Sequence, residues 1–348
     1  EAAAGSRLRQ GGHLLELEVG VSQRMELFGQ RGARREAAES FVIASEARLQ
    51  ARRVELAAEV RESFGRALAA GQTVRLAESA TLLAEEALQA AEQRQEVGAA
   101  SRIEVNTARV ELGRARRERA VARQRHTLAL GALRLLIGLE ADEEVTLAGE
   151  LEASPHPPPD VETLLAQALA QRAELLAARA ELEAARAAWR LASRAALPSP
   201  RLGVSYGREE QAHIVQGTLG LELPLFLHNQ AARGASAARV AQAERLLEAQ
   251  ERAVRTEVKL ATERYRAASA AAEAYGDGVL AALEENLALV NEAYRVGKMD
   301  FFELLLIRRE ALEARRGYIE ALEELNAAEA RLERAIGSRG QAALNSRP

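Results

Sequence analysis

Apolar and polar positions repeat with two different periods along this chain, and each period keeps to its own stretches. A period of two runs through 14–27. There Leu15, Leu17, Val19, Val21, Met25 and Leu27 share one side, and Glu16, Glu18, Gly20, Ser22, Arg24 and Glu26 share the other. The same alternation recurs in 201–207, where Leu202, Val204 and Tyr206 oppose Gly203, Ser205 and Gly207, and in 214–227, where Val215, Leu219, Leu221, Leu223 and Leu225 oppose Gln216, Thr218, Gly220 and Glu222. These three stretches predict β-strands, each with one apolar face. Elsewhere the spacing is helical. In 301–336, Leu305, Leu312, Ile319, Leu322, Leu325, Leu332 and Ile336 recur at steps of seven, three and four, a coiled-coil-like seam.

Proline and glycine divide the chain. Apart from Pro348, every proline falls between Pro155 and Pro224. Because proline breaks helix interiors, the proline-free expanses on either side can hold very long helices. Landmarks also repeat in register. Leu27-Phe28, Glu59-Val60, Val97-Gly98 and Ile137-Gly138 are matched by Leu225-Phe226, Glu257-Val258, Val296-Gly297 and Ile336-Gly337. The spacing from Phe to Glu is 31 residues in both copies, and from Gly to Gly it is 40 in both. Two tandem units follow.

The first unit, 1–138, is predicted as strand 14–27, long helix 34–96, tip 97–101 and return helix 102–137. A connector, 139–171, includes the run Pro155-His156-Pro157-Pro158-Pro159 and is expected near the middle of the helical body. The second unit, 172–337, is predicted as helix 172–196, strands 201–207 and 214–227, long helix 231–295, tip 296–300 and return helix 301–336, followed by a tail, 338–348. At 1.5 Å per residue each long helix would reach about 95 Å and each return helix about 55 Å. The second unit has a strand pair preceded by a helix, whereas the first shows one strand. Its partner strand and preceding helix, some 40 residues, are therefore expected upstream of Glu1.

Alternating strands of this length fit a membrane barrel with a polar interior, and alternation alone fits a half-buried sheet in a soluble protein equally well. Helices this long leave no globular core to cover such a sheet, which favours the barrel. Three strands cannot close one alone, so protomers must contribute strands jointly. Composition agrees with long helices: 48% of residues are hydrophobic but only 3% aromatic, mostly Ala and Leu beside Glu and Arg. The charges, 47 basic and 51 acidic, are interspersed, which describes a solvated helical surface and not a nucleic-acid footprint. Cysteine is absent, which removes disulfides and thiol chemistry. His13, His126, His156, His213 and His228 are scattered without chelating spacing, so no metal site is expected. Trp189 reads as packing, no phosphate-binding loop is present, and no catalytic constellation stands out, so neither a cofactor nor an enzyme activity is expected.

The stretch from Ser22 to Arg34, SQRMELFGQRGAR, resembles the strand-to-helix junction of the TolC-like outer-membrane efflux proteins, and so does Leu223-Pro224-Leu225-Phe226 followed by Arg233-Gly234. Tyr294-Arg295-Val296-Gly297, leading to Glu303-Leu304-Leu305, resembles that family's helical-hairpin tip. The likeness covers nearly the whole chain, and the Gly29–Arg34 stretch is most similar to the heavy-metal efflux branch. It implies a mainly α fold with membrane β-strands. A long coiled-coil α-helical barrel would continue a β-barrel to which each protomer of a homotrimer contributes strands. It also implies an outer-membrane channel of a Gram-negative bacterium that extends into the periplasm. Such a duct passively exports small solutes or metal ions, in contact with outer-membrane lipid, a periplasmic adaptor (membrane fusion) protein and an inner-membrane pump such as one of the RND type. The other readings are a periplasmic adaptor, which the two tandem hairpins disfavour, and a coiled-coil scaffold of an envelope complex, which the strands disfavour.

The resemblance also marks candidate residues. Val97, Gly98, Ala99 and Ser101 in one tip, and Val296, Gly297, Lys298 and Asp300 in the other, would meet the adaptor. Read from the residues alone, Gly98 and Gly297 are helix C-caps, and both roles are compatible. By register, the constriction's linking tyrosine matches Tyr294 and its acidic positions match Glu303 and Glu104. Met299 stands where the family has a linking arginine and Leu306 where it has a second acidic residue, so an apolar plug could replace part of the polar gate. Tyr and Glu on a solvated helix face is the plainer alternative. Glu16, Glu18 and Glu222 could line the barrel interior and favour cations.

Overall fold

The computed structural model describes residues 2–7, 16–140, 143, 145–152, 160–209, 212–221 and 228–337, with side chains from residue 19 onward except those of Glu209 and Asp277. In chain order the elements are β1 (Ala2–Arg7), β2 (Glu16–Arg24), α1 (Gln30–Glu96), α2 (Arg102–Ile137), α3 (Val161–Gln171), α4 (Ala173–Arg194), β3 (Pro200–Glu209), β4 (Ala212–Leu221), α5 (Gln230–Glu273), α6 (Asp277–Arg295) and α7 (Phe301–Ile336). They form two compact units, Glu1–Ala51 with Ala173–Arg252, and Arg52–Arg172 with Ala253–Pro348. Each sequence repeat contributes to both.

The first unit is built on a four-stranded antiparallel sheet in the order β1-β2-β3-β4. Its register aligns Val19 with Tyr206 and Val21 with Val204, and aligns Tyr206 with Val215 and Leu202 with Leu219. One face is therefore mostly apolar, interrupted by Gln23 and Gly217 and ending in Arg208 and His213, while Gly20, Ser22, Gly203, Ser205, Gln216 and Thr218 occupy the other. The chain does not cover the apolar face: Val21 is 62% exposed, Val215 70% and Leu219 76%. An uncovered aliphatic sheet face of this extent is unfavourable in water but suits hydrocarbon. Glu222 lies outside the described residues, as do the side chains of Glu16 and Glu18.

The sheet corrects one expectation. The partner of β2 is not upstream of Glu1: β1 supplies it, pairing Ala2 with Val21 through Arg7 with Glu16. Its sequence, AAAGSR, has no apolar–polar alternation and low strand propensity, so only its pairing makes it a strand.

The second unit is helical. Much of its core is alanine: Ala67, Ala91, Ala168 and Ala328 are fully buried. Small residues let helix axes approach closely, which explains a large apolar fraction with few aromatics. Ion pairs run between the helices, among them Arg116–Glu85 at 3.0 Å, Arg123–Glu78 at 2.5 Å and Arg61–Glu333 at 2.7 Å. The exposed ones, Arg116–Glu85 and Arg123–Glu78, are worth about 0–1 kcal/mol each, so they fix registry more than they add stability. The α7 seam faces inward at Leu322, Leu325 and Leu332. Among the described residues no helix is long and apolar enough to cross a membrane.

One further expectation changes. The predicted helix 231–295 is interrupted between α5 and α6, at Ala274–Gly276. Here the backbone bonds tighten to three-residue spacing, Tyr275 N–H to Ala272 O at 3.1 Å and Gly276 N–H to Glu273 O at 2.9 Å. Gly276 and Gly278 each lower helix propensity by about 1 kcal/mol relative to Ala. The turn also sends Tyr275 onto Tyr318, ring centroids 6.0 Å apart, and against Gly317, where any Cβ would meet the phenol oxygen. The proline run 155–159 of the connector lies outside the described residues. The connector also contains α3, whose N-terminus is capped by Asp160 and whose Leu164, Leu165 and Ala168 are buried. Before it, Leu151 packs with Ala69 and Leu322.

Candidate tip and latch site

The second unit brings the two hairpin turns and the helices that carry them into one cluster. Each turn ends the helix before it in the same way. Gly98 has φ +75° and Gly297 φ +76°, left-handed backbone that glycine adopts without penalty. Beyond the glycine a backbone N–H reaches back five residues, Ala99 to Arg94 O at 2.7 Å and Lys298 to Ala293 O at 2.9 Å, closing the helix end as a Schellman-type cap. The return helices then start on side-chain caps. Ser101 accepts from the Glu104 N–H at 3.2 Å, and Asp300 forms a reciprocal capping box with Glu303. The apolar residues that begin each turn point to solvent, Val97 at 79% and Val296 at 55% exposed.

Beneath the exposed tips lies a packed cluster: Ala87 and Ala91 of α1, Val105 and Ala108 of α2, Val290 and Tyr294 of α6, and Phe301 and Leu304 of α7. Tyr294 is 4% exposed, and its hydroxyl donates to Glu104 Oε1 at 2.8 Å, joining the two hairpins through a buried phenol and a buried carboxylate. Burial, then the bond to Glu104, pushes the phenol's pKa well above its usual value, so Tyr294 remains a neutral donor. The Tyr294 ring packs on Phe301 at 5.8 Å between centroids.

Of the residues expected at a constriction, the structure unites Tyr294 and Glu104, with Met299 packed at the cluster's edge. Two others go elsewhere within the chain. Glu303 caps its own helix, and Leu306 is 59% exposed. The structure adds two basic residues that sequence reasoning missed. Arg94 stacks its guanidinium 4.9 Å from the Tyr294 ring centroid and donates to the carbonyls of Tyr294 and Ala99, both at 3.4 Å. A positive charge thus sits beside the Tyr294–Glu104 bond, supplied by Arg94 and not from position 299, where the family likeness leads one to expect a linking arginine. Deeper in, Arg308 donates to Asn291 Oδ1 at 2.9 Å and to the Leu83 carbonyl at 2.9 Å, tying α7 to α6 and α1, and its burial lowers its pKa. One signal for Arg308 was available: it stands between Leu305 and Leu312 at seam spacing, where an aliphatic residue is expected. Arg94 carried no such signal, because its partner lies 200 residues away.

No group of three or more His, Asp or Glu among the described residues is arranged to hold a metal ion. The cluster joins neutral and ionic donors across two hairpins and exposes apolar tips, an arrangement suited to holding two elements together.

Comparison with curated proteins gives no match. Solved structures agree in fold. The outer-membrane channel OprN is 21% identical, with a TM-score of 0.79 covering 98% of this chain and 80% of that one. The MtrE outer membrane channel of Neisseria gonorrhoeae, solved in an open state, is 22% identical with a TM-score of 0.77, covering 97% and 80%. The outer membrane protein VceC of Vibrio cholerae is 17% identical with a TM-score of 0.74, covering 97% and 85%. The outer membrane efflux protein family matches residues 12–139 and 164–338. The chain therefore belongs to the outer membrane efflux protein family, whose TolC-like trimeric channels cross the outer membrane, extend into the periplasm and serve as exit ducts for adaptor-linked inner-membrane pumps.

Proposed function

We propose that the Val97–Ser101 and Val296–Asp300 tips form the surface on which a periplasmic adaptor protein seats, and that the Tyr294–Glu104 bond beneath them is a latch that keeps the duct narrow until the adaptor docks. The observation that carries this reading is the contrast within a few residues. Val97 and Val296 stand exposed at the turns while Tyr294, Phe301 and Leu304 directly below are buried. Exposed aliphatic groups on rigid, glycine-capped turns favour a protein partner. A buried, directional hydrogen bond between hairpins is an interaction that movement of either tip would break.

The duct works in this reading by gated diffusion. Docking displaces one hairpin relative to the other, Glu104 leaves Tyr294, and cargo passes down its gradient while the inner-membrane pump, of the RND type in this proposal, supplies the energy. The two hairpins act as repeats 1–138 and 172–337 joined by the connector 139–171. Glu303 and Leu306 take part through neighbouring protomers, and Met299 backs the latch as apolar packing. The Gly29–Arg34 stretch favours a metal ion among the small solutes carried.

The test is adaptor binding to the reconstituted trimer. A Val97→Glu, Val296→Glu double variant is expected to bind a purified periplasmic adaptor at least tenfold more weakly by surface plasmon resonance, because each carboxylate would be desolvated at the interface. Its single-channel conductance without adaptor should equal the wild type's, since both side chains stand exposed while the latch is buried. Unaltered adaptor affinity would sink the tip assignment.

A further inference from the structure

We propose that the outward end of the β3–β4 hairpin is a phosphate-binding site for a lipid of the outer leaflet, built from Arg208 and His213 and ordered by Tyr206. The sheet orients the site. Pro200 pairs with Leu221, and Arg201 with Arg24, so α4 enters, α5 follows and α1 departs at the same end of the strands. Those helices belong to the periplasmic side, which makes the Glu209–Ala212 end the outer one. Arg208 and His213 are cross-strand partners there. Alternation places both on the face of Leu202, Val204, Tyr206, Val215 and Leu219, the face that meets lipid.

Height along the strand fits the headgroup level. From Pro200 to Arg208 β3 rises about 26 Å, or about 20 Å of membrane height at the tilt usual for barrel strands. The outward apolar band of such barrels is about 25 Å tall. Arg208 and His213 therefore stand where aliphatic side chains give way to headgroups, and Tyr206, one step inward on the same face, sits at the level where amphipathic rings concentrate. All three are exposed.

The local chemistry selects an anion. The Tyr206 hydroxyl and His213 Nδ1 share a hydrogen bond, and the two rings stack with centroids 5.9 Å apart and planes 21° apart. With the phenol donating to Nδ1, the ring proton sits on Nε2, a donor free for a ligand oxygen. Opposite it Arg208 offers the planar fork of N–H donors that matches phosphate. A guanidinium beside hydrocarbon is costly without a counter-charge, and the phosphates of outer-leaflet glycolipid provide one at that depth.

Native mass spectrometry of the full-chain trimer in detergent tests the proposal, with bis-phosphorylated lipid A as probe. The wild type should retain the lipid. The Arg208→Gln, His213→Gln double variant should bind it at least tenfold more weakly, and Arg208→Lys, which keeps the charge but loses the fork, should fall between that variant and the wild type. Tyr206→Phe should weaken binding severalfold by freeing the imidazole. Arg24→Gln, at the opposite end and on the opposite face, should bind as the wild type does. The trimer mass in the same spectra reports assembly of every variant. Equal retention by the double variant, equal binding of lipid A stripped of its phosphates, an equal loss in Arg24→Gln, or inorganic phosphate alone binding as tightly would each overturn it.

Discussion

Tyr294→Phe is expected to raise the open population of the adaptor-free channel by roughly ten- to a hundredfold, read as single-channel conductance events in planar bilayers. The substitution keeps the ring, its packing on Phe301 and the Arg94 contact, and removes only the hydroxyl that donates to Glu104. Glu104 then remains buried without that donor. Leaving a buried acceptor unsatisfied costs about 1–3 kcal/mol, more for a charged group, and each 1.4 kcal/mol is about tenfold in an equilibrium. The cost falls on the closed arrangement alone, because a displaced Glu104 is hydrated in either protein. Glu104→Gln keeps an acceptor for the phenol and should open the channel less. Neither variant alters the exposed tips, so adaptor affinity should hold or rise. If Tyr294→Phe conducts as the wild type does while the trimer is intact, the hydrogen bond is packing and the latch lies elsewhere.

The second large effect is expected from Phe301→Ala. Phe301 is 1% exposed, opens α7 and lies between the capping box and the Tyr294 ring. Truncating a buried phenylalanine costs about 3–5 kcal/mol, part lost transfer energy and part residual cavity. The loss is concentrated at one end of the α6–α7 hairpin, where no other aromatic side chain is as buried. Limited proteolysis should therefore cut first at 296–300, at protease concentrations that leave the wild type whole, and the helical circular dichroism signal should melt in two steps. Phe302→Ala, at a half-exposed neighbour, is the control and should change little. Equal protease resistance of Phe301→Ala and the wild type would show that the tip does not depend on this packing.

The helical hairpins were legible because their signals are local and repeated. Val97-Gly98 and Val296-Gly297 each announce a helix end, and the structure gives both glycines the same left-handed φ. Register and family likeness mark Tyr294 and Glu104 as separate candidates, but no local pattern foretells the hydrogen bond between them. What escaped did so for physical reasons. The Ala2–Arg7 strand has no side-chain signature and exists through its ladder with β2. The break at Ala274–Gly276 lies in YGDG, whose glycines were visible, but isolated glycines are tolerated in helices, and the deciding contact of Tyr275 with Gly317 and Tyr318 is tertiary. Arg94 and Arg308 act across the fold, and no single-chain periodicity announces such partners.

The four-stranded sheet ends in two open ladders, β1 on one side and β4 on the other. In hydrocarbon each unpaired amide or carbonyl costs several kcal/mol, so a lone protomer has no low-energy way to lie across the bilayer. Insertion and association must then be one event, and its rate should climb steeply with protomer concentration, with a lag at dilution and no membrane-embedded monomer along the way.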